Sequence, residues 1–217
     1  MSGAAMRAVV SQRVEVFADR DERRDALDQR WAALLESLGL TALPMPNALA
    51  DPAAWLAAAD PALIVLTGGN DLAHLVDGPD AAPERDRTEA LLLAQATEQA
   101  IPLLAVCRGL QLIVDSGGGA LVPVEGHVAR DHAITAHAAA GSWPIRDGRS
   151  VNSFHNWGAE QSAVPAGWEL AATAPDGTVE AMIHSTLPQV ALMWHPERGE
   201  TDADDAALIE QLIGYSQ

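Results

Sequence analysis

Cys107 is the only cysteine of the chain, and it falls where a short apolar run, Leu103-Leu104-Ala105-Val106, meets a segment of helical character from Arg108 to Asp115. A thiol at such a junction has backbone N–H groups and a helix N-terminus beside it, and both favour the thiolate. Gly109 removes a side chain where the backbone must turn tightly. Strand, tight turn and helix in this order make the elbow that exposes a nucleophile above a sheet. A lone cysteine is otherwise a small buried hydrophobe, so the rest of the chain has to supply the partners that nucleophilic catalysis needs.

His195-Pro196-Glu197 supplies two of them. A cysteine nucleophile needs a base that takes its proton and later returns it to the leaving amine, and an imidazole does both near neutral pH. The imidazole needs a partner that fixes its tautomer, and a carboxylate two residues away on a proline-stiffened turn suits that role. Cys107, His195 and Glu197 thus form a candidate triad. An oxyanion hole needs backbone N–H groups aimed at developing negative charge. The residue after an elbow nucleophile commonly gives one, here Arg108. Gly68-Gly69, after the apolar run Leu63 to Thr67, is a second source, with Gly69 letting the backbone approach a substrate closely.

The elements that must position these residues follow an alternating rhythm. Arg7 to Ser11 reads as a first strand, Arg23 to Leu38 as a helix with Leu27, Trp31, Leu34, Leu35 and Leu38 on one face, and Thr41 to Leu43 as a short strand. Leu63 to Thr67 reads as a buried strand, Pro83 to Ala100 as a long helix, and then come the Leu103 strand and the elbow. After Gly117-Gly118-Gly119, residues 121–138, 145–154, 168–174, 179–184 and 190–194 read as short strands, with hairpin signals at Asp147-Gly148 and Asp176-Gly177. Asp202 to Tyr215 reads as a closing helix. The expectation is an α/β fold: a mostly parallel sheet with helices on both faces and an antiparallel β addition in the C-terminal half, as one domain over residues 1–217. The segments at 66–71, 106–111, 152–158 and 193–198 all fall at ends of predicted strands, where ligands of open α/β sheets bind.

Composition narrows the function. The net charge is −17, from 30 acidic and 13 basic residues, which argues against nucleic acid as a partner. All the basic residues are arginine, so a P-loop lysine, a pyridoxal Schiff base and a Ser-Lys dyad are excluded. No apolar run reaches membrane-span length and no signal-peptide core opens the chain, so no membrane association and a cytoplasmic location are expected. His127, His132 and His137 recur every five residues. Because side chains alternate along a strand, that spacing puts neighbours on opposite faces, and no joint metal ligation is expected. The tryptophans read as core or pocket wall, with Trp157 and Trp194 flanking the motif segments.

Gly68-Gly69, Cys107-Arg108-Gly109-Leu110-Gln111 and His195-Pro196-Glu197, in this order and spacing, resemble the class I glutamine amidotransferase-like superfamily and, within it, the peptidase C26 group of γ-glutamyl hydrolases. Glu84-Arg85-Asp86 resembles the same group. The resemblance implies a flavodoxin-like sheet and hydrolysis of a γ-glutamyl amide through a γ-glutamyl thioester on Cys107, without metal or organic cofactor. It implies that Gly68 and Gln111 hold the glutamyl head group, and that Ser153, Phe154 and His155 grip its α-amino and α-carboxylate groups. SQRV at 11–14, the stretch at 23–39, LPMPN at 43–47 and NSFHNWG at 152–158 further resemble the γ-glutamyl-CDP-amidate hydrolases of capsule phosphoramidate synthesis. That implies release of glutamate and cytidine diphosphoramidate. Arg13, after the first strand, reads as a surface ion pair or a phosphate contact. A γ-glutamyl-GABA-type hydrolase and a glutaminase module serving a separate synthetase stay open, as does a homodimer.

Overall fold

The computed structural model of the chain describes residues 6–76, 81–199 and 202–214. Its strands in chain order are β1 Met6–Val10, β2 Arg13–Phe17, β3 Glu22–Ala26, β4 Leu40–Pro44, β5 Leu63–Leu66, β6 Leu103–Val106 and β7 Leu121–Pro123. They continue with β8 Val128–Ala133, β9 Thr135–Ala136, β10 Ser150–Phe154, β11 Trp157–Ala159, β12 Trp168–Thr173, β13 Val179–His184 and β14 Gln189–Leu192. The helices are α1 Gln29–Ser37, α2 Pro52–Ala59, α3 Pro83–Gln99, α4 Arg108–Ser116 and α5 Ala203–Gly214.

Eight strands form one sheet in the order β4-β1-β5-β6-β14-β13-β12-β9. The pairings from β4 to β14 are parallel, and those from β14 to β9 are antiparallel. This is the α/β architecture expected from the alternating first half and the strand-rich second half. Every residue of β5, β6 and β14 is buried. Side chains alternate across a strand, so both faces are covered, and the strands therefore read as unbroken apolar runs. β14 comes late in the chain yet lies between β6 and β13. The carboxyl ends of β5, β6 and β14 thus lie side by side, where an open sheet places its ligands. No helix among the described residues is long and apolar enough to cross a membrane.

Several boundaries differ from the sequence reading. The expected helix from Arg23 begins only at Gln29, with the Asp28 side chain accepting from Arg30 N at 3.0 Å as its cap. Residues 22–26 instead form β3, which pairs with β2 in a hairpin turned through Asp21 at φ +50°. Arg23, Arg24 and Asp25 carry no apolar periodicity, so nothing but the hairpin contact decides their state. Helix α2 was unforeseen, although it has a local signature: Asp51 caps Ala54 N at 2.9 Å, and Pro52 opens the first turn. The strand expected over 121–138 is three strands, broken between β7 and β8 where Gly126 takes a positive φ and between β8 and β9 at Ile134. The strand expected over 145–154 starts only at Ser150. The closing helix is α5, and Tyr215 lies outside the described residues.

Gly109 is required by packing. A Cβ there would lie 2.9 Å from both the Cβ and the carbonyl oxygen of Leu66, and 3.1 Å from Ala105 Cβ. The first turn of α4 therefore rests directly on β5 and β6. Gly109→Ala must push the helix off the sheet, and overpacking of this kind costs about 1–3 kcal/mol. Urea unfolding should show that loss as a lower midpoint at unchanged slope; a variant as stable as the wild type would contradict this packing.

Candidate active site

Cys107 follows β6 with φ +52° and ψ −99°, a conformation that costs a non-glycine residue of the order of 1–3 kcal/mol. The chain holds it there through two backbone bonds. Cys107 N donates to Leu192 O at 2.7 Å, and Gln111 N donates to Cys107 O at 3.1 Å, which starts α4. Of the four segments expected to converge, residues 68–69 follow β5, Cys107 follows β6 and His195 follows β14, and the β10–β11 turn closes the fourth side. A cavity of 160 Å³ is lined by Gly69, Asn70, Asp71, Cys107, Arg108, Gln111, Phe154, His155 and Asn156.

His195 is held on three sides. Its Nδ1 lies 2.7 Å from Glu197 Oε1, while Nε2 is buried without a hydrogen-bond partner. Its backbone is clamped by Asn152, whose Oδ1 accepts from His195 N and whose Nδ2 donates to His195 O, both at 2.9 Å. Its ring packs against Gly68, where a Cβ would sit 2.5 Å from His195 Cε1. Gly68 is thus a seat for the imidazole. Burial pushes the imidazole pKa down, but contacts with Cys107 and Glu197 outweigh it and raise the value to about 9. At neutral pH this histidine carries its second proton.

Beneath the site lies a buried ion network. Arg85 is fully buried and donates to the carbonyl oxygens of Thr67 at 2.7 Å, Gly68 at 3.0 Å and Gly69 at 2.6 Å. N–H and C=O point opposite ways across a trans peptide. Holding the Gly68 carbonyl toward Arg85 therefore turns Gly69 N–H away from it, which is what an oxyanion donor at Gly69 requires. Arg85 is fixed by Glu89 Oε1 at 2.8 Å, and the same oxygen accepts from Ser11 Oγ at 2.7 Å. Arg108 joins the network through its guanidinium, which bonds Glu89 and Asp86. Burial lowers the Arg85 pKa to about 10, which leaves it charged at neutral pH. Burial pushes Glu89 up, but Arg108 and Arg85 more than reverse this and hold it below the usual carboxylate range.

The remaining expected residues divide. Phe154 lines the cavity and meets the His195 ring edge-on at 5.8 Å between centroids. Gln111 also lines it, with its Nε2 donating to Trp157 O at 2.9 Å. Ser153 turns the other way: its hydroxyl donates to His127 O at 2.8 Å, and it does not line the cavity. His155 lines the cavity but directs both ring nitrogens at protein groups, Nδ1 at Trp157 O and Nε2 toward Glu180. Trp194 is core, donating to Asp205 at 3.1 Å. Arg13 lies 4.0 Å from Glu15 and packs beside Gly69.

The reading of the histidine spacing is corrected. His127 and His132 both face Glu180, because the β8–β10 ladder carries a bulge at Ala129, at φ +53°. One extra residue turns an odd spacing into an effectively even one. His137 is elsewhere, on Thr173 Oγ1 at 3.1 Å. Sequence reasoning also missed Asn152, Ser11 and Glu89. The available signal for Glu89 was its place one turn after Arg85, on the helix face that continues with Leu92 and Ala96.

Known proteins resemble this chain over most of its length. The sequence model of the peptidase C26 family matches residues 8–197. The γ-glutamyl-γ-aminobutyrate hydrolase of Escherichia coli O157:H7 is 30% identical over 200 residues, covering 79% of this chain and 78% of that protein. The γ-glutamyl-CDP-amidate hydrolase of Campylobacter jejuni is 30% identical over 138 residues, 62% of each. A solved structure of a glutamine amidotransferase from Thermotoga maritima superposes with a TM-score of 0.66 at 14% identity, over 97% of this chain and 91% of that one. It shares the fold.

Glu89 neutralises two buried guanidinium groups at once. Glu89→Gln leaves Arg85 without its anion and Arg108 with Asp86 alone, and losing one partner of a buried pair costs about 3–5 kcal/mol. Chemical denaturation should find a loss of that size; a change no larger than a surface substitution gives would contradict the network's role.

Proposed function

The chain belongs to the peptidase C26 family, and from that premise we propose that it is a γ-glutamyl hydrolase, acting as one domain over residues 1–217 through a Cys107-His195-Glu197 triad. The observation that carries the reading is Cys107 at a strained elbow, in electrostatic contact with an imidazole whose other nitrogen lies 2.7 Å from Glu197. Cys107 gives its thiol proton to His195, and its Sγ attacks the γ-carbonyl carbon of the substrate. The N–H groups of Gly69 and Arg108 receive the negative charge that develops on the carbonyl oxygen. His195 gives its proton to the leaving nitrogen, Glu197 stabilises and orients the imidazole, and the C–N bond breaks to leave a γ-glutamyl thioester. Water, deprotonated by His195, then attacks the thioester, releasing glutamate and restoring the thiol. The glutamyl unit occupies the 160 Å³ cavity, where Asp71 brings a carboxylate suited to an α-ammonium group.

For the leaving group, we favour a nucleotide-sized one, with γ-glutamyl-CDP-amidate as the substrate. A groove of 590 Å³, lined by Arg13, Glu15, Phe17, Asn70 and Asp71 among others, shares Asn70 and Asp71 with the glutamyl cavity. Its size and its arginine suit a diphosphate carrying a base. The similarity to the Campylobacter protein supports the same choice, whereas the Escherichia coli relative is named for a smaller amine.

The test is glutamate release from γ-glutamyl-CDP-amidate, γ-glutamyl-GABA and glutamine, with Cys107→Ala as the control. We expect kcat/KM to be highest on the CDP-amidate and Cys107→Ala to be inactive on all three. Equal efficiency would reduce the reading to a general γ-glutamyl hydrolase. Glutamine hydrolysis dependent on an added synthetase would replace it with an ammonia-supplying module.

The proton on His195 sets the pH profile. As pH rises through about 9 the imidazolium deprotonates and the leaving nitrogen loses its acid, so kcat/KM should fall with a midpoint near there. Glu197 is one cause of the raised value, so Glu197→Gln should move that alkaline limb to lower pH. An unmoved limb would remove Glu197 from the imidazolium.

A further inference from the structure

Behind the wall of the glutamyl cavity, Glu180 on β13 is completely buried, and neither of its carboxylate oxygens makes a hydrogen bond. Three imidazoles face it. His132 Nε2 lies 3.2 Å from Glu180 Oε1, His155 Nε2 3.7 Å and His127 Nδ1 4.0 Å. The Nε2 atoms of His132 and His155 are themselves buried without a hydrogen-bond partner. Unpaired polar atoms are expensive in an apolar interior. Three such side chains converging on one point, with His127 beside them, mark a place where something else completes the set.

The outward-facing nitrogens say what that is. His155 Nδ1 lies 2.9 Å from the carbonyl oxygen of Trp157. A carbonyl only accepts, so Nδ1 carries the proton and Nε2 is left with a lone pair aimed at the carboxylate. His127 Nε2 lies 2.8 Å from Asp176 Oδ2, which by the same logic leaves its Nδ1 lone pair facing Glu180. A histidine whose far N–H rests on a carboxylate or a carbonyl, and whose near nitrogen points at other donors, is the arrangement that outer-shell groups impose on metal ligands. Two lone pairs and an anion facing one another call for a positive charge among them, which a protonated His132 at 3.2 Å from Glu180 or a bound cation supplies.

We propose that His127, His132 and Glu180, with His155 as the fourth ligand, bind one divalent transition-metal ion, and that the ion is zinc. The ligand atoms of His127, His132 and Glu180 already lie within 4.8 Å of one another. In a tetrahedral zinc site with bonds of about 2.1 Å, ligand atoms are roughly 3.4 Å apart, so closure draws these three groups together and brings in His155 Nε2, now 3.7 Å from Glu180 Oε1. Three imidazoles and one carboxylate suit a borderline-soft ion and disfavour calcium or magnesium, which take oxygen ligands. His127, His155 and Glu180 are buried and His132 is half-buried, and four protein ligands fill a tetrahedral shell, so the centre is structural. It ties β8, the β10–β11 turn and β13 together. Because His155 also forms part of the cavity wall, the ion stiffens that wall from behind. The bulge at Ala129 is what brings His127 and His132 to the same ion.

The test uses the full chain, stripped with a chelator and then dialysed with zinc, followed by metal analysis and thermal unfolding. We expect one zinc per chain and a melting temperature raised by several degrees over the stripped protein. Cobalt in place of zinc should give the intense visible bands of a tetrahedral site. His132→Ala, at the least buried of the four ligands, and Glu180→Gln should each lose stoichiometric zinc and the thermal response, while His137→Ala keeps both. Substoichiometric zinc in the wild type, or full zinc in both ligand variants, would overturn the proposal. If the variants do not fold, zinc stoichiometry and the cobalt spectrum of the wild type decide it. None of these readouts depends on hydrolysis, so a negative result leaves the γ-glutamyl reading where it stands.

Discussion

Glu89 is the anion on which the candidate site is built. It is wholly buried, and it is shared by two guanidinium groups and a serine hydroxyl. Each connection reaches a different part of the site. Through Arg85 it orients three successive carbonyls after β5, and so the amide of Gly69. Through Arg108 it anchors the residue after the nucleophile, which would contribute the other oxyanion amide. Ser11 connects it to the end of β1. Charges buried this deeply stabilise a fold little against an apolar replacement, but removing one member leaves the others uncompensated. The network is therefore better understood as fixing directions than as adding stability: it sets where two backbone N–H groups point.

Strain and packing meet at the elbow. The left-handed backbone of Cys107 is unfavourable alone and persists because both sides are pinned, by the β14 carbonyl before it and by α4 after it. Gly109 lets α4 come down onto the sheet, which keeps the helix start under the thiol. His195 is pinned separately, by Asn152 along the backbone and by Glu197 at the ring. Cys107 and His195 thus owe their positions to different strands, and their meeting depends on the order in which β6 and β14 lie in the sheet.

The chemistry was more legible in the sequence than the scaffolding. Cys107, Gly109 and the His195–Glu197 pair carry local signatures, and the interior strands announce themselves as apolar runs because both faces are covered. What escaped detection depends on contacts between residues distant in sequence. Residues 22–26 have no period of their own and become a strand only because β2 is beside them. Asn152 looks like any polar residue near a strand end until His195 lies 43 positions on and 2.9 Å away. The bulge at Ala129 has no glycine to mark it, and without the bulge the histidine spacing points the wrong way. The roles expected of Ser153 and His155 came from resemblance alone, and no pattern in the sequence announces their hydrogen bonds to His127 and Trp157.

The sheet order has a consequence for how the molecule comes into being. β14 is the last strand among the described residues, yet in the sheet it joins the parallel half to the antiparallel meander, pairing with β6 on one side and β13 on the other. During synthesis from the N-terminus, β6 and the cysteine emerge some eighty residues before their neighbour does. Until then β6 is an apolar edge with unpaired backbone groups, the kind of surface that recruits other chains. The nascent protein thus passes through a long interval in which the thiol is present but the histidine that would activate it is not. Reactivity and a closed sheet arrive together, with the same few residues.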